Sequence, residues 1–258
     1  MLCPDSFKGS LDAAAAANAM ARGVHAACPT APVRALPMAD GGEGTSDLIT
    51  HTLGWEWHLS DVHSPTGDHV TAGWGFDADS RRAVIDVASA CGLDLVPAER
   101  RDPWQLDSRG VGELMQAAIE AGAEQLLIGL GGSGTVDGGA GMLAALGLRF
   151  LDADGNELPP TPTGLASMAR ADVSGLDPRL ADTEIVVLND VDNPLTGPHG
   201  AAAVFGPQKG LAVDDIDAMD AHLGRLAETI DAAGGLRRPT DTPGAGAAGG
   251  LGFALHCV

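Results

Sequence analysis

The sequence predicts an α/β fold, and three observations carry that prediction. Apolar runs of strand length, Gln125-Leu-Leu-Ile-Gly129 and Glu184-Ile-Val-Val-Leu-Asn-Asp190, alternate with stretches of helical periodicity. Predicted strands run into turns that begin at Asp40, Gly131 and Asp190 and combine small residues with carboxylates. Apolar residues make up 45% of the chain while aromatics are 3% and tyrosine is absent. The core must therefore be filled by alanine and aliphatic side chains, which suit helices laid closely on a sheet.

The elements follow in chain order. Residues 4–9 read as a loop, and Ser10 stands as a cap before an alanine-rich helix from about residue 11. Residues 33–38 read as a short buried strand that runs into Ala39-Asp-Gly-Gly-Glu-Gly-Thr45, followed by a helix over 46–53 with Gly54 as its stop. Three strand-like runs, 56–62, 69–76 and 83–87, are separated by turn signals and predict an antiparallel meander. Ser108 precedes a helix over 111–121 that Gly122 ends, and the strand 125–129 follows. Beyond Gly131-Gly-Ser-Gly-Thr-Val-Asp137 the pattern gives a short helix, about 142–146, and a strand over 148–151. After the strand 184–190, residues 213–233 alternate apolar and acidic positions as a solvated helix.

Charge narrows the partners. The chain has 258 residues, enough for one large or two small domains, and 35 acidic against 15 basic residues give a net charge of −20. Such a field repels nucleic acid and anionic membrane surfaces. No apolar run reaches the ~20 residues that span a bilayer, and the start lacks a basic segment followed by an apolar one. Cys3, Cys28, Cys91 and Cys257 are scattered, which indicates neither a disulfide scaffold nor a zinc site. A cytoplasmic location is expected. Only two lysines occur, Lys8 and Lys209, each followed by glycine, so in an acidic chain they are the natural captors of an anion.

In open α/β sheets the crevice beyond the strand carboxyl ends is the usual ligand site. Small residues there let a phosphate approach backbone N–H groups, and carboxylates hold a cation or accept a hydroxyl proton. Phosphoryl transfer needs both. Gly131, Gly132, Ser133 and Thr135 are the expected phosphate cradle, with Asp137, Asp40 and Glu43 expected to hold Mg²⁺. Asp190 and Asp192 flank one residue at a strand end and are candidates for the base, with Lys8 and Lys209 neutralising transferred charge. Asp5 and Ser6 share the Lys8 loop, and Asn193 completes the nucleotide-binding set. The predicted cofactors are ATP and Mg²⁺.

Two other readings compete. Gly129-Leu-Gly-Gly-Ser-Gly134 matches G-x-G-x-x-G after a strand, with Asp152 beyond it, the fingerprint of an NAD(P)-dependent oxidoreductase. That fingerprint should open a long helix, whereas Gly138, Gly139 and Gly141 interrupt its first turns. An acidic binding module is the third reading. It leaves the three clusters of glycine and carboxylate unexplained.

Seven blocks, 4–11, 39–45, 110–114, 131–143, 190–195, 205–210 and 243–253, resemble the bacterial glycerate kinase family (type 1) in order and spacing. The resemblance implies ATP-dependent phosphorylation of D-glycerate, with the 2-hydroxyl favoured. It also implies a two-lobed glycerate kinase fold in which a second α/β lobe interrupts a flavodoxin-like lobe. Residues 1–62 would begin the flavodoxin-like lobe, residues 63–242 would form the second, and 243–258 would lead into a C-terminal part that this chain is expected to lack. Where the family has Ser-Ala-Thr-Asn-Asp, this chain has Ser133-Gly-Thr-Val-Asp137, so Val136 removes a polar side chain from the loop.

Overall fold

The computed structural model describes residues 1–7, 10–234 and 240–258. Helix α1 (Ala13–Ala27) is capped by Asp12, whose carboxylate accepts the Ala15 N–H at 2.6 Å, so the cap lies two residues beyond the expected Ser10. Residues 33–38 do not form a full strand. They run parallel to the N-terminal residues through three hydrogen bonds, including Leu36 N–H to the Leu2 carbonyl at 2.8 Å and Met38 N–H to the Pro4 carbonyl at 2.9 Å.

Helix α2 (Thr45–Leu53) leads to the meander β1 (Glu56–His63), β2 (His69–Asp77) and β3 (Arg82–Asp86). The sheet order is β1-β2-β3, then β4 (Gln125–Gly129) and, last, the strand over Glu184–Leu188. The first two pairings are antiparallel, as the turn signals predict, and the two that follow are parallel. Parallel neighbours need crossover connections. The short α3 (Val87–Cys91) and α4 (Arg109–Glu120) supply the first; α5 (Ala140–Ala145) and the small hairpin β5 (Arg149–Leu151) and β6 (Arg170–Asp172) lie within the second, which ends at β7 (Glu184–Leu188). Helices α6 (Ala201–Phe205), α7 (Ile216–Ala232) and α8 (Leu251–Leu255) complete the fold.

Glycine sets the closeness of packing. A side chain on Gly75 would collide with Thr50, which places α2 hard against one face of β2. On α4, a side chain on Gly112 would run into the Met142 carbonyl, so α4 and α5 meet almost backbone to backbone. One core joins Ile85, Leu114, Met115, Leu126, Ile128 and Phe150 and extends to Leu223, Ile230 and Phe253.

One expectation is corrected here. Helix α7 is not a solvated helix, because Met219, Leu223, Leu226 and Ile230 lie on one buried stripe. Strand β1 pairs with β2 along its whole length, and Phe253, Ala254 and Leu255 belong to the core that holds β4.

Candidate phosphoryl-transfer site

The carboxyl ends of β3, β4 and β7 are Asp86, Gly129 and Leu188, and the expected loops meet there. The Gly131 N–H donates to the Gly41 carbonyl at 2.9 Å, and the Leu130 N–H donates to the Leu188 carbonyl at 3.2 Å. A Cβ on Gly41 would fall 2.5 Å from that same Leu188 oxygen, and one on Gly131 would collide with Gly42. Only glycine permits this approach of three backbones.

A fourth segment joins them. The Gly249 carbonyl accepts the Gly138 N–H at 3.0 Å, and the Gly246 N–H donates to the Asn193 carbonyl at 2.8 Å. Gly249 has φ of 72°, and a side chain there would strike the Thr135 carbonyl. The glycine density of residues 243–250 thus serves packing against the neighbouring loops.

Among the expected cradle residues, Gly132 is exposed with φ of 76°, whereas Ser133 is 6% exposed and Thr135 and Asp137 are fully buried. Neither the Gly132 nor the Ser133 amide donates to a backbone carbonyl among the described residues. The Gly132 N–H, on the exposed residue of this turn at a strand's carboxyl end, suits a phosphate oxygen, with the Ser133 N–H next to it on a buried residue. The loop is braced from within by Lys209, whose ammonium donates to Ser133 Oγ and to the Thr135 carbonyl, both at 2.7 Å. Burial pushes the Lys209 amine down to about 8. Beside it Cys91, whose sulfur lies 3.5 Å from Thr135 Oγ1, is pushed up to about 12, again by burial, and is inert as a nucleophile at neutral pH.

Asp137, expected to face a metal, is buried and hydrogen-bonded within the protein. Its carboxylate accepts the Ser108 N–H at 2.9 Å, the Ser108 hydroxyl at 2.7 Å, the Gly141 N–H at 3.0 Å and the Gly139 N–H at 3.2 Å. Three of the four donors fall on Oδ2 of this fully buried group, so Asp137 ties the starts of α4 and α5 together. Asp40 accepts the Gly42 N–H at 2.8 Å and, like Glu43, is exposed. No group of three His, Cys, Asp or Glu side chains that could hold a metal ion occurs among the described residues. In phosphoryl-transfer sites one or two carboxylates hold Mg²⁺ together with the nucleotide's phosphates, and Asp40 and Glu43 are the exposed members of the expected set that would do so.

Asp190 and Asp192 are exposed at the end of β7. The Asn189 side chain holds Val191 between them, donating to its carbonyl at 2.6 Å and accepting its N–H at 3.3 Å. Asn193 is occupied by the fold, since its amide donates to the His199 carbonyl at 2.8 Å. Asp5 and Ser6 are exposed and bonded to each other, the Asp5 carboxylate accepting the Ser6 N–H at 2.6 Å. Lys8 lies outside the described residues.

The dinucleotide fingerprint fails on the structure as well. The helix after Gly129-Leu-Gly-Gly-Ser-Gly134 has 6 residues, and Asp152 is used in its own turn, accepting the Asn156 N–H at 2.8 Å.

Sequence reasoning missed Asp86 and Asp107. Asp86 is 3% exposed and accepts the Gly44 N–H and the Ser46 N–H, both at 2.9 Å, and the Ser46 hydroxyl at 2.9 Å. Asp107 accepts the Arg109 N–H at 2.9 Å. Burial pushes both carboxyls up to about 6, and for Asp107 the nearby Asp137 charge adds to the rise. The available signal was a carboxylate closing the apolar run Ala83-Val-Ile-Asp86 at a strand's carboxyl end.

The model of the glycerate kinase family matches residues 1–258, the whole chain. This chain belongs to the glycerate kinase family. Within that family it is 49% identical over 255 residues to the glycerate kinase of Bacillus subtilis, covering 99% of this chain and 66% of that protein. It is 48% identical to the glycerate 2-kinase of Escherichia coli, covering 99% of this chain and 67% of that protein. Its fold superposes with a TM-score of 0.87 on the crystal structure of the protein designated glycerate kinase 2 from Salmonella typhimurium LT2, at 44% identity, covering 99% of this chain and 68% of that one. The chain thus spans about two thirds of the length of these relatives.

Proposed function

We propose that this chain carries the core of a cytoplasmic, ATP-dependent glycerate kinase that transfers the γ-phosphoryl group to a hydroxyl of D-glycerate, the 2-hydroxyl favoured. The observation that carries the reading is the meeting of an exposed glycine turn with exposed carboxylates at the ends of parallel strands, in a chain of the glycerate kinase family. The turn offers the Gly132 and Ser133 amides to a phosphate, and Lys209 fixes it from behind without touching substrate. ATP supplies the phosphoryl group. Asp190 or Asp192 accepts the proton of the glycerate hydroxyl as it attacks, which leaves phosphoglycerate and ADP. Asp40 and Glu43, both exposed, would hold the Mg²⁺ that accompanies the nucleotide, which would offset the charge of its phosphates. On this reading residues 1–62 begin a flavodoxin-like lobe, residues 63–242 form the second α/β lobe, and residues 243–258 lead back toward the first.

The test is ADP release by the purified chain with MgATP and D-glycerate, the product resolved by phosphorus NMR. Glycerate-dependent ADP with 2-phosphoglycerate supports the reading. Reduction of NAD by the chain would instead favour the oxidoreductase. Tight binding of ATP or glycerate without turnover would make the chain a binding module.

A further inference from the structure

Helix α2 begins on Gly44, whose φ of 87° excludes most side chains, so its N-cap position supplies no capping group of its own. The cap comes from 42 residues downstream. Asp86, at the last position of β3, receives the Gly44 N–H, the Ser46 N–H and the Ser46 hydroxyl on its two oxygens. A local serine or aspartate would satisfy the first-turn amide; a cap reaching in from the sheet also takes the Gly44 N–H and the Ser46 hydroxyl and fixes where the loop lies. The loop's Gly41 carbonyl holds the Gly131 N–H at 2.9 Å, and a Cβ on Gly129 would come 3.2 Å from Asp86 Oδ1. A continuous chain therefore runs from Asp86 through Gly44 and Gly41 to Gly131, next to the Gly132 and Ser133 amides.

We propose that Asp86 is a positioning residue: its carboxylate anchors residues 40–46 to the sheet, and through Gly41 it sets the glycine turn that receives the phosphoryl donor. The inference rests on the kinase reading for its consequence, though not for its geometry. The ionised group is what the three donors require. A carboxamide has one acceptor oxygen and turns an NH₂ toward the remaining donor. Asp86 touches no reacting atom in this scheme.

The experiment compares wild type, Asp86→Asn and, as a distant control, Asp177→Ala, which removes the cap of a short 3-10 helix elsewhere. Amide hydrogen exchange is followed at residues 41–48 and at β1–β2, and kcat and KM for ATP and D-glycerate are measured from pH 5 to 8. The expected result is exchange at least about tenfold faster at 41–48 with β1–β2 unchanged, a fall in kcat/KM of about tenfold or more, and loss of an acid limb expected in wild type near pH 6, while Asp177→Ala changes none of these. Wild-type exchange and kinetics in Asp86→Asn overturn the proposal. If wild type shows no glycerate-dependent ADP, it is the kinase reading that fails. Exchange then decides for Asp86 alone, with local loosening supporting it and an unchanged or uniformly raised pattern overturning it. If Asp86→Asn does not fold, Ser46→Ala removes one of the donors and is read by exchange at 41–48 and by kcat/KM.

Discussion

Lys209 spends its ammonium on Ser133 Oγ and the Thr135 carbonyl, 2.7 Å from each, so one of the chain's two lysines braces the glycine loop from inside the protein. A buried cation in a protein of net charge −20 need not face the substrate to matter. Its removal leaves a buried hydroxyl and a buried carbonyl without a partner.

Replacing it tests that brace. Lys209→Met should lower unfolding stability by about 2–4 kcal/mol in urea titrations, because two buried acceptors lose their donor. Lys209→Arg should not restore it, since the planar guanidinium does not fit a site shaped for a compact ammonium.

Asp137 separates a metal role from a structural one. Asp137→Asn should destabilise the chain by about 3 kcal/mol, since a carboxamide meets four donors with one acceptor oxygen. The loss should be the same with and without Mg²⁺. A loss that appears only with Mg²⁺ present would return Asp137 to the metal.

Asp190 and Asp192 should behave in the opposite way. Both are exposed, so Asp190→Asn and Asp192→Asn should each shift stability by less than about 0.5 kcal/mol. The one that serves as base should lose about a hundredfold or more in kcat, and the other should stay within about threefold. Equal, small effects from both would remove the pair from the mechanism.

The pH dependence of stability carries two signs. The folded state holds the Asp86 carboxyl near 6, above its ordinary 3.8, so the folded chain binds the proton first and wild type gains stability from this group as pH falls from about 6 to 4. His222 is pushed down to about 4 from 6.5, chiefly by burial, so the unfolded chain binds that proton first and wild type loses stability as pH falls from 6.5 to 4. On acidification through this window, Asp86→Asn should therefore lose ground relative to wild type and His222→Leu should gain it. Urea midpoints at fixed pH check both.

Two glycines of the same left-handed conformation should respond differently. Gly67, with φ of 81° and open space around it, should tolerate alanine at about 1 kcal/mol, the strain of the backbone alone. Gly249→Ala also meets the Thr135 carbonyl and should cost several times more, or shift the loop. Thermal unfolding of the two variants gives the comparison.

The sequence by itself determined the meander and its turns, the strand Gln125–Gly129 and the stop at Gly54, because these depend on alternation and on glycine at helix ends. It also determined that the loops after residues 131 and 190 lie at strand ends, whereas residues 33–38 ahead of the Asp40 loop form only an isolated bridge, and the collinear blocks pointed to the family. Tertiary structure alone decided what the charged residues do. Asp137 and Lys209 sit in motifs that read as ligand-facing, yet both are buried and filled by protein partners, and the identity of those partners, Ser108 and Thr135, depends on distant segments meeting. Asp86 escaped notice for the same reason: its donors lie 40 and 42 residues away, beyond the reach of any local spacing rule. Periodicity records which face of an element is buried; it holds no record of which polar group from elsewhere in the chain will be waiting there.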